Sequence, residues 1–266
     1  QTTVVNLPPT GAVVAVAPGS EGGLFTADVT FADEGTLDSH VVEVDWGDGL
    51  VSTGSATMHA FSANHVYADD GVYTVKVRIT DDDGGETTAM TTVAVANVAP
   101  MLNVVGNQVI AEGSPLTLAN IGTFTDPGFN NPLNVNDPGN GGEVAESFTY
   151  QINWGDGTPI DVGSAEIDTP GSAGVATAGS FDGAHTYADD GVYTVKVTVF
   201  DDDGGMDMRT FTVTVTNVNP TLTPIADQTI GEGSLLSLVN IGEFTDPGFN
   251  NPLNVNDPAN GGEVEE

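Results

Sequence analysis

The sequence predicts an all-β protein built as a tandem array of β-sandwiches. Three observations predict it: a long repeat at an offset of 120 residues, apolar residues at alternate positions between turn signals, and no stretch with a helical period. The repeat is close to literal. His65-Val66-Tyr67-Ala68-Asp69-Asp70-Gly71-Val72-Tyr73-Thr74-Val75-Lys76-Val77 recurs as His185 to Val197 with one change, Val66 to Thr186. Asp-Asp-Asp-Gly-Gly at 81–85 returns at 201–205, and Asn97-Val98-Ala99-Pro100 returns as Asn217-Val218-Asn219-Pro220. Residues 111–146 return at 231–266 with 29 of 36 positions identical. The repeat divides the chain into 1–98, 99–218 and 219–266, the last being the N-terminal part of a third unit.

The strands are read from a period of two. Val42, Val44 and Trp46 alternate with Glu43 and Asp45, and Tyr73, Val75, Val77 and Ile79 alternate with Thr74, Lys76, Arg78 and Thr80. Phe148, Tyr150, Ile152 and Trp154 repeat the pattern, as do Phe211, Val213 and Val215. One apolar and one polar face per strand means sheets packed on one side only. Lys76 and Lys196 fall on the polar phase, which argues against cross-links through the core. The second unit is longer than the first because Phe124 to Trp154 and Gly157 to His185 are longer than Phe31 to Trp46 and Gly49 to His65. Such insertions are tolerated because loop-closure entropy grows only logarithmically.

Charge narrows the partners. Four Lys+Arg stand against 38 Asp+Glu, a formal charge of −34. Nucleic acid is excluded, since phosphate binding needs a basic face, and anionic membrane surfaces are disfavoured. Self-repulsion on this scale opposes compaction. Divalent cations or a salt-solvated acidic surface are the two ways to meet it. Much of the Asp precedes Gly, which suits tight turns and oxygen-rich calcium loops alike. There is no Cys, so disulfides and thiolate metal sites are absent. No apolar run is long enough to span a bilayer. Gln1 in place of an initiator Met predicts a processed product or an excerpt from a longer chain, and a third unit that stops before its Trp-Gly-Asp-Gly strand predicts that the repeating chain continues. Completion of that unit by strands of another copy is the other expectation.

Trp46-Gly47-Asp48-Gly49, then His65-x-Tyr67, Gly71-x-Tyr73-x-Val75-x-Val77 and Asp81 to Gly85, resembles the polycystic-kidney-disease (PKD) repeat, and Trp154-Gly155-Asp156-Gly157 with His185 to Val197 is a second copy. The resemblance covers almost all of residues 1–218 and implies seven-strand, immunoglobulin-like sandwiches. Trp46, Trp154, Tyr67, Tyr73, Tyr187 and Tyr193 are then core residues, and Tyr73 and Tyr193 open the sixth strand as in the immunoglobulin tyrosine corner. His65 and His185 are read as hydrogen-bonded sandwich residues, and His40 and His59 as loop or edge residues.

The resemblance also places acids at both ends of each unit. Glu21, Glu112 and Glu232 follow the first strand, and Asp69, Asp70, Asp189 and Asp190 precede the sixth; these face the next repeat. Asp33, Asp126 and Asp246 follow the second strand, and Asp81, Asp82, Asp83, Asp201, Asp202 and Asp203 lie in the last hairpin; these face the previous repeat beside Asn97 and Asn217. Ca²⁺ at the junctions is the expected cofactor. The arrangement is similar to that of cadherins and of calcium-binding PKD-like domains of secreted bacterial enzymes, although the linker here is Asn-x-x-Pro rather than an Asp cluster. Two carboxylates about 4 Å apart repel by roughly 4 kcal/mol at an effective dielectric of about 20, and Ca²⁺ accepts irregular oxygen-rich loops more readily than Mg²⁺. A solvated Asp-Asp-Asp-Gly-Gly hairpin is the alternative. The long segment Asp126 to Pro138 returns unchanged at 246–258; its amide and carboxylate oxygens offer a place for another ion, and Phe129 and Leu133 are expected to pin it to its own unit, with docking of a partner as the alternative.

No nucleophile–base pattern, HExxH or phosphate-loop Lys is present, so the chain is expected not to be an enzyme. The expected role is a structural segment of an extracellular, cell-surface repeat protein or filament, stiffened by calcium and touching neighbouring repeats of the same or identical chains. Two alternatives stand beside it: a spacer or carbohydrate-binding accessory array of a secreted hydrolase, and an adhesin whose long loops bind cell-surface or matrix ligands.

Overall fold

The computed structural model describes residues 5–134 and 145–254. Among them every regular element is a strand. The first sandwich holds β1 (Thr10–Val16), β2 (Gly19–Ser20), β3 (Leu24–Ala32), β4 (His40–Asp45), β5 (Val51–Ser55), β6 (Ala60–Val66), β7 (Gly71–Asp81) and β8 (Glu86–Ala96). One sheet has the order β1-β3-β6 and the other β2-β8-β7-β4-β5. The chain crosses from one sheet to the other between β1 and β2, so β1 pairs antiparallel with β3 while β2 runs parallel to β8. This is an immunoglobulin-like sandwich.

The second sandwich repeats it with β9 (Met101–Val104), β10 (Gln108–Ala111), β11 (Pro115–Asp126), β12 (Thr149–Asn153), β13 (Asp161–Ser164), β14 (Glu166–Thr169), β15 (Thr177–Thr186), β16 (Gly191–Phe200) and β17 (Met206–Thr216). Its sheets are β14-β15-β11-β9 and β10-β17-β16-β12-β13. The count exceeds the seven strands expected of each unit for two reasons. The first strand splits across both sheets, and the longer segment before His185 forms the extra edge strand β14.

Alternation decides the cores. Along β3 every second residue is buried, and Phe25, Ala27, Val29 and Phe31 face Val42, Val44, Trp46, Tyr73, Val75, Val77 and Ile79. The second core gathers Leu102, Phe124, Phe148, Ile152, Trp154, Tyr193, Val195 and Val197. Trp46 and Trp154 are fully enclosed. Lys76 and Lys196 are exposed, on the polar phase. In the third unit β18 (Thr221–Pro224) pairs antiparallel with β19 (Gly242–Thr245), and Leu235, Val239 and Phe244 remain exposed because no second sheet covers them among the described residues.

The signature residues form one polar key in each sandwich. His65 Nε2 meets Asp48 Oδ2 at 2.8 Å and its ring stacks on Trp46 at 4.7 Å. The Tyr67 hydroxyl donates to the Trp46 carbonyl at 2.9 Å. His185, Asp156, Trp154 and Tyr187 repeat these contacts. Tyr73 and Tyr193 each donate to the carbonyl of the Asp four residues earlier, at 3.0 Å, closing the corner. His40 departs from the loop or edge position expected of it. It opens β4, is buried, and meets Asp33 Oδ2 at 2.7 Å, because the long side chain reaches a carboxylate that the end of β3 turns inward.

Candidate metal centre at the unit junction

Turns from one end of the first sandwich meet turns from the opposite end of the second. Glu21 follows β2 in a turn held by Gly22, whose N–H donates to the Tyr67 carbonyl at 2.9 Å. Asp69 lies at the tyrosine corner. Asp203 sits in the β16–β17 hairpin, which Asp201 closes by accepting from Gly205 N–H at 2.6 Å. Glu146 precedes β12, and Asp126 ends β11. One carboxylate oxygen from each of Glu21, Asp69, Glu146 and Asp203 lies within 4.8 Å of the others, two residues from each unit. Glu21 is 4% exposed and Asp126 is 2% exposed. Glu21 Oε1 accepts from the linker N–H of Val98 at 2.6 Å, while Glu21 Oε2, Asp126 Oδ2 and Asn97 Oδ1 are buried with no hydrogen-bond donor among the described residues.

Electrostatics shows the cost of this convergence. Burial pushes the Glu21 carboxyl up to about 8, against the Val98 hydrogen bond, and Asp126 and Asp203 add repulsion. Burial raises Asp126 to about 7, with the Asp201–Asp203 run adding to it. Glu146 rises to about 9 through burial and then Asp202, and Asp203 to about 6 through burial and then Asp70. Carboxyls in this state bind protons near neutrality, or else a cation that supplies the missing charge. A hard ion taking six to eight oxygens at irregular loops fits this set of carboxylate and amide oxygens.

The expected residues distribute as follows. Glu21, Asp69 and Asp203 come together, with Asp70, Asp126, Asp201 and Asp202 close enough to act on them. Asn97 donates Nδ2 to Asp201 Oδ2 at 3.2 Å. At the far end of the first unit Asp33 and Asp81 gather with Asp38, and Asn6 donates to Asp81 at 3.1 Å as Asn97 does to Asp201. There Asp33 is held below the usual carboxylate range by His40 and by Gly35 N–H. Asp82 accepts from Ser39 N–H at 3.2 Å, and Asp83 donates its backbone N–H to Asp81 at 3.0 Å. At the outer end of the second unit Glu112, Asp189 and Asp190 cluster, and Glu112 accepts from Val218 N–H as Glu21 does from Val98. Asn217 and Glu232 are exposed, and Asp246 caps its own turn by accepting from Gly248 N–H at 3.0 Å; neither Glu232 nor Asp246 enters a cluster of acids among the described residues.

Glu146 and Asp38 escape a reading of the sequence by motif. Each immediately precedes the serine whose N–H is capped by the hairpin Asp, Asp202 or Asp82. The signal for Glu146 is its return as Glu266 at the 120-residue offset, which lies outside the described residues. The expectation for Phe129 and Leu133 is overturned in part. Phe129 touches Gly171 of its own unit through Cβ, but its N–H donates to the Ala68 carbonyl of the first unit at 3.0 Å. Leu133 keeps its side chain exposed while its carbonyl presses on Gly49 of the first unit. The expected pinning fails because the segment runs along the end of its sandwich, where the neighbouring turn offers a closer surface.

The strand order and the Trp–His–Tyr key define an immunoglobulin-like sandwich module. Residues 6–95 match the family model of the PKD domain, so the first unit is a PKD domain, and the second carries the same motif in the same order. Among solved structures the chain is similar to the PKD domain of the human VPS10 domain-containing receptor SorCS2, at 25% identity, with 36% of this chain and 80% of that one covered and a TM-score of 0.31. The PKD1 domain of Vibrio anguillarum Epp matches at 29% identity over 35% of this chain and all of that one (100%), with a TM-score of 0.25. The PKD domain of an M14-like peptidase from a Thermoplasmatales archaeon matches at 18% identity over 34% of this chain and 98% of that one, with a TM-score of 0.31. No helix among the described residues is long and apolar enough to cross a membrane.

Proposed function

We propose that this chain is a non-catalytic structural segment of an extracellular, cell-surface repeat protein or fibre, stiffened by Ca²⁺ bound at the junctions between its units. One observation carries the reading: two units contribute Glu21, Asp69, Glu146 and Asp203 to one point, beside buried oxygens of Glu21 and Asp126 that lack donors among the described residues. A solvated acidic surface does not need such burial. The polar key, repeated in both sandwiches, supports a non-catalytic role, since both signature histidines are engaged by Asp48 or Asp156 and stacked on Trp. Bound ion would join Glu21, Asp69, Glu146 and Asp203, and would turn mutual repulsion into cross-linking of neighbouring units. Extracellular modules of this kind bind Ca²⁺ with Kd of about 10⁻⁴–10⁻³ M. At ten times Kd the gain is roughly 1.4 kcal/mol per site. The test is thermal unfolding in Ca²⁺ and in chelator at constant ionic strength. Melting falls on chelation in the wild type, and Asp201→Ala with Asp203→Ala removes the difference; equal wild-type melting in both buffers overturns the calcium reading.

A further inference from the structure

The two junctions share a second set of contacts that involves no carboxylate cluster. At the first, Asn131 donates Nδ2 to the Asp48 carbonyl at 3.1 Å and to Asp48 Oδ2 at 3.2 Å, and Phe129 N–H donates to the Ala68 carbonyl at 3.0 Å. At the second, Asn251 donates to the Asp156 carbonyl at 3.1 Å and Phe249 N–H donates to the Ala188 carbonyl at 3.0 Å. Asn131 and Asn251 brace their own turns identically, each accepting from the Leu two residues on at 3.1 Å. The acceptors are part of the polar key: Asp48 and Asp156 are the carboxylates that His65 and His185 hold.

Glycine makes the approach possible. A Cβ on Gly49 would lie 2.3 Å from the Leu133 carbonyl oxygen, and one on Gly157 would lie 2.0 Å from that of Leu253. A Cβ on Gly22 would meet Pro127 at 2.7 Å, and one on Gly113 would meet the Pro247 carbonyl oxygen at 2.2 Å. Gly49 and Gly157 are thus required twice, for a positive φ of 87° and 83° and for contact with the neighbour's backbone. The docking segment Asp-Pro-Gly-Phe-Asn-Asn-Pro-Leu-Asn is identical at 126–134 and 246–254, whereas the first unit has only the short loop Asp33 to Asp38 at that place.

We propose that residues 126–134, and their copy at 246–254, are a directional latch that recognises the Trp-Gly-Asp-Gly turn of the preceding unit and fixes the inter-unit angle without a metal ion. The partner is a sandwich bearing that turn, its His–Asp pair and the Tyr-Ala-Asp-Asp corner. Any unit carrying the latch segment can follow any unit carrying the turn, so unit order is interchangeable while the angle is not. The latch goes beyond the calcium reading and does not depend on it.

The test uses the full 266-residue chain. Because the sequence has no Cys, Thr88→Cys and Thr210→Cys, both at exposed positions of β8 and β17, accept a pair of distance labels. In chelator the labelled parent gives a narrow distance distribution. Asn131→Ala removes the donors and lowers the latched-to-open ratio by about tenfold. Asn131→Asp keeps the shape, sets a carboxylate against Asp48, and opens the junction further. Trp46 and Trp154, one in each core, report that both sandwiches stay folded. A broad distribution for the parent in chelator, or a narrow one for Asn131→Asp with both Trp signals native, overturns the latch. The first of these outcomes leaves the calcium reading standing.

Discussion

Replacing Glu146 by Gln isolates the electrostatics of the junction, because the side chain keeps its shape and loses only its charge. In the absence of a cation the Glu146 carboxyl is raised to about 9 from an ordinary value of 4.5, chiefly by burial. A carboxyl raised in the folded state stabilises fully below its unfolded value, and that contribution is lost as pH rises through the folded value. At pH 7 the interval above 4.5 corresponds to a ceiling of about 3.4 kcal/mol at 1.36 kcal/mol per pH unit. Glu146 is only half-buried, and solvent screening reduces this to about 1–2 kcal/mol. Gln carries no such penalty. In chelator at pH 7, Glu146→Gln therefore melts above the wild type by roughly 4–8 °C for each kcal/mol recovered. The advantage vanishes at pH 4.5, and grows as pH rises toward 9. In Ca²⁺ the same change removes one anionic ligand. If affinity falls about tenfold, the calcium-dependent gain at ten times the original Kd drops from roughly 1.4 to about 0.4 kcal/mol. Calorimetric scans of both proteins in both buffers measure each quantity. Melting of the variant at or below the wild type in chelator at pH 7 would refute the buried-carboxyl argument. An undiminished gap between the buffers would refute the place of Glu146 at the ion.

Trp154→Ala empties the centre of the second core, where the ring is 1% exposed, and lowers the stability of that sandwich by about 3–5 kcal/mol; a separate early transition in calorimetry, with the Trp46 signal unchanged through it, is the expected record. Burial favours the neutral form of Asp156, but hydrogen bonds from His185 and Thr158 outweigh it and hold the carboxyl below 3.8. Its stabilising contribution is present above pH 3.8 and is lost as pH falls through the lower folded value, so His185→Gln moves the acid-unfolding midpoint to higher pH; an unchanged midpoint counts against the pair.

The strands and the core were legible in the sequence because a half-buried sheet enforces a period of two, and each unit declares it locally. Tyr73, Val75, Val77 and Ile79 are buried as their spacing requires, and the same holds for Val42, Val44 and Trp46. The repeat also marked which turns are acidic. The tyrosine corner, the Trp-Gly-Asp-Gly turn and the Asp-Asp-Asp-Gly-Gly hairpin are short-range features, specified by residues within a few positions of one another. What the tertiary structure alone decided is which of those acids share a point. Glu146 is separated from Glu21 in sequence by more than the length of the first unit, and Asp33 is engaged by His40 whereas Asp126, its counterpart, has Phe148 in that place. The latch was illegible for a related reason. Asn131 acts on a turn 83 residues earlier, and Gly49 must be bare because a backbone from the next unit lies against it. A local pattern records what a residue needs from its own strand or turn. Contacts across a junction depend on the angle at which two finished sandwiches meet, and that angle is set only when both ends are in place.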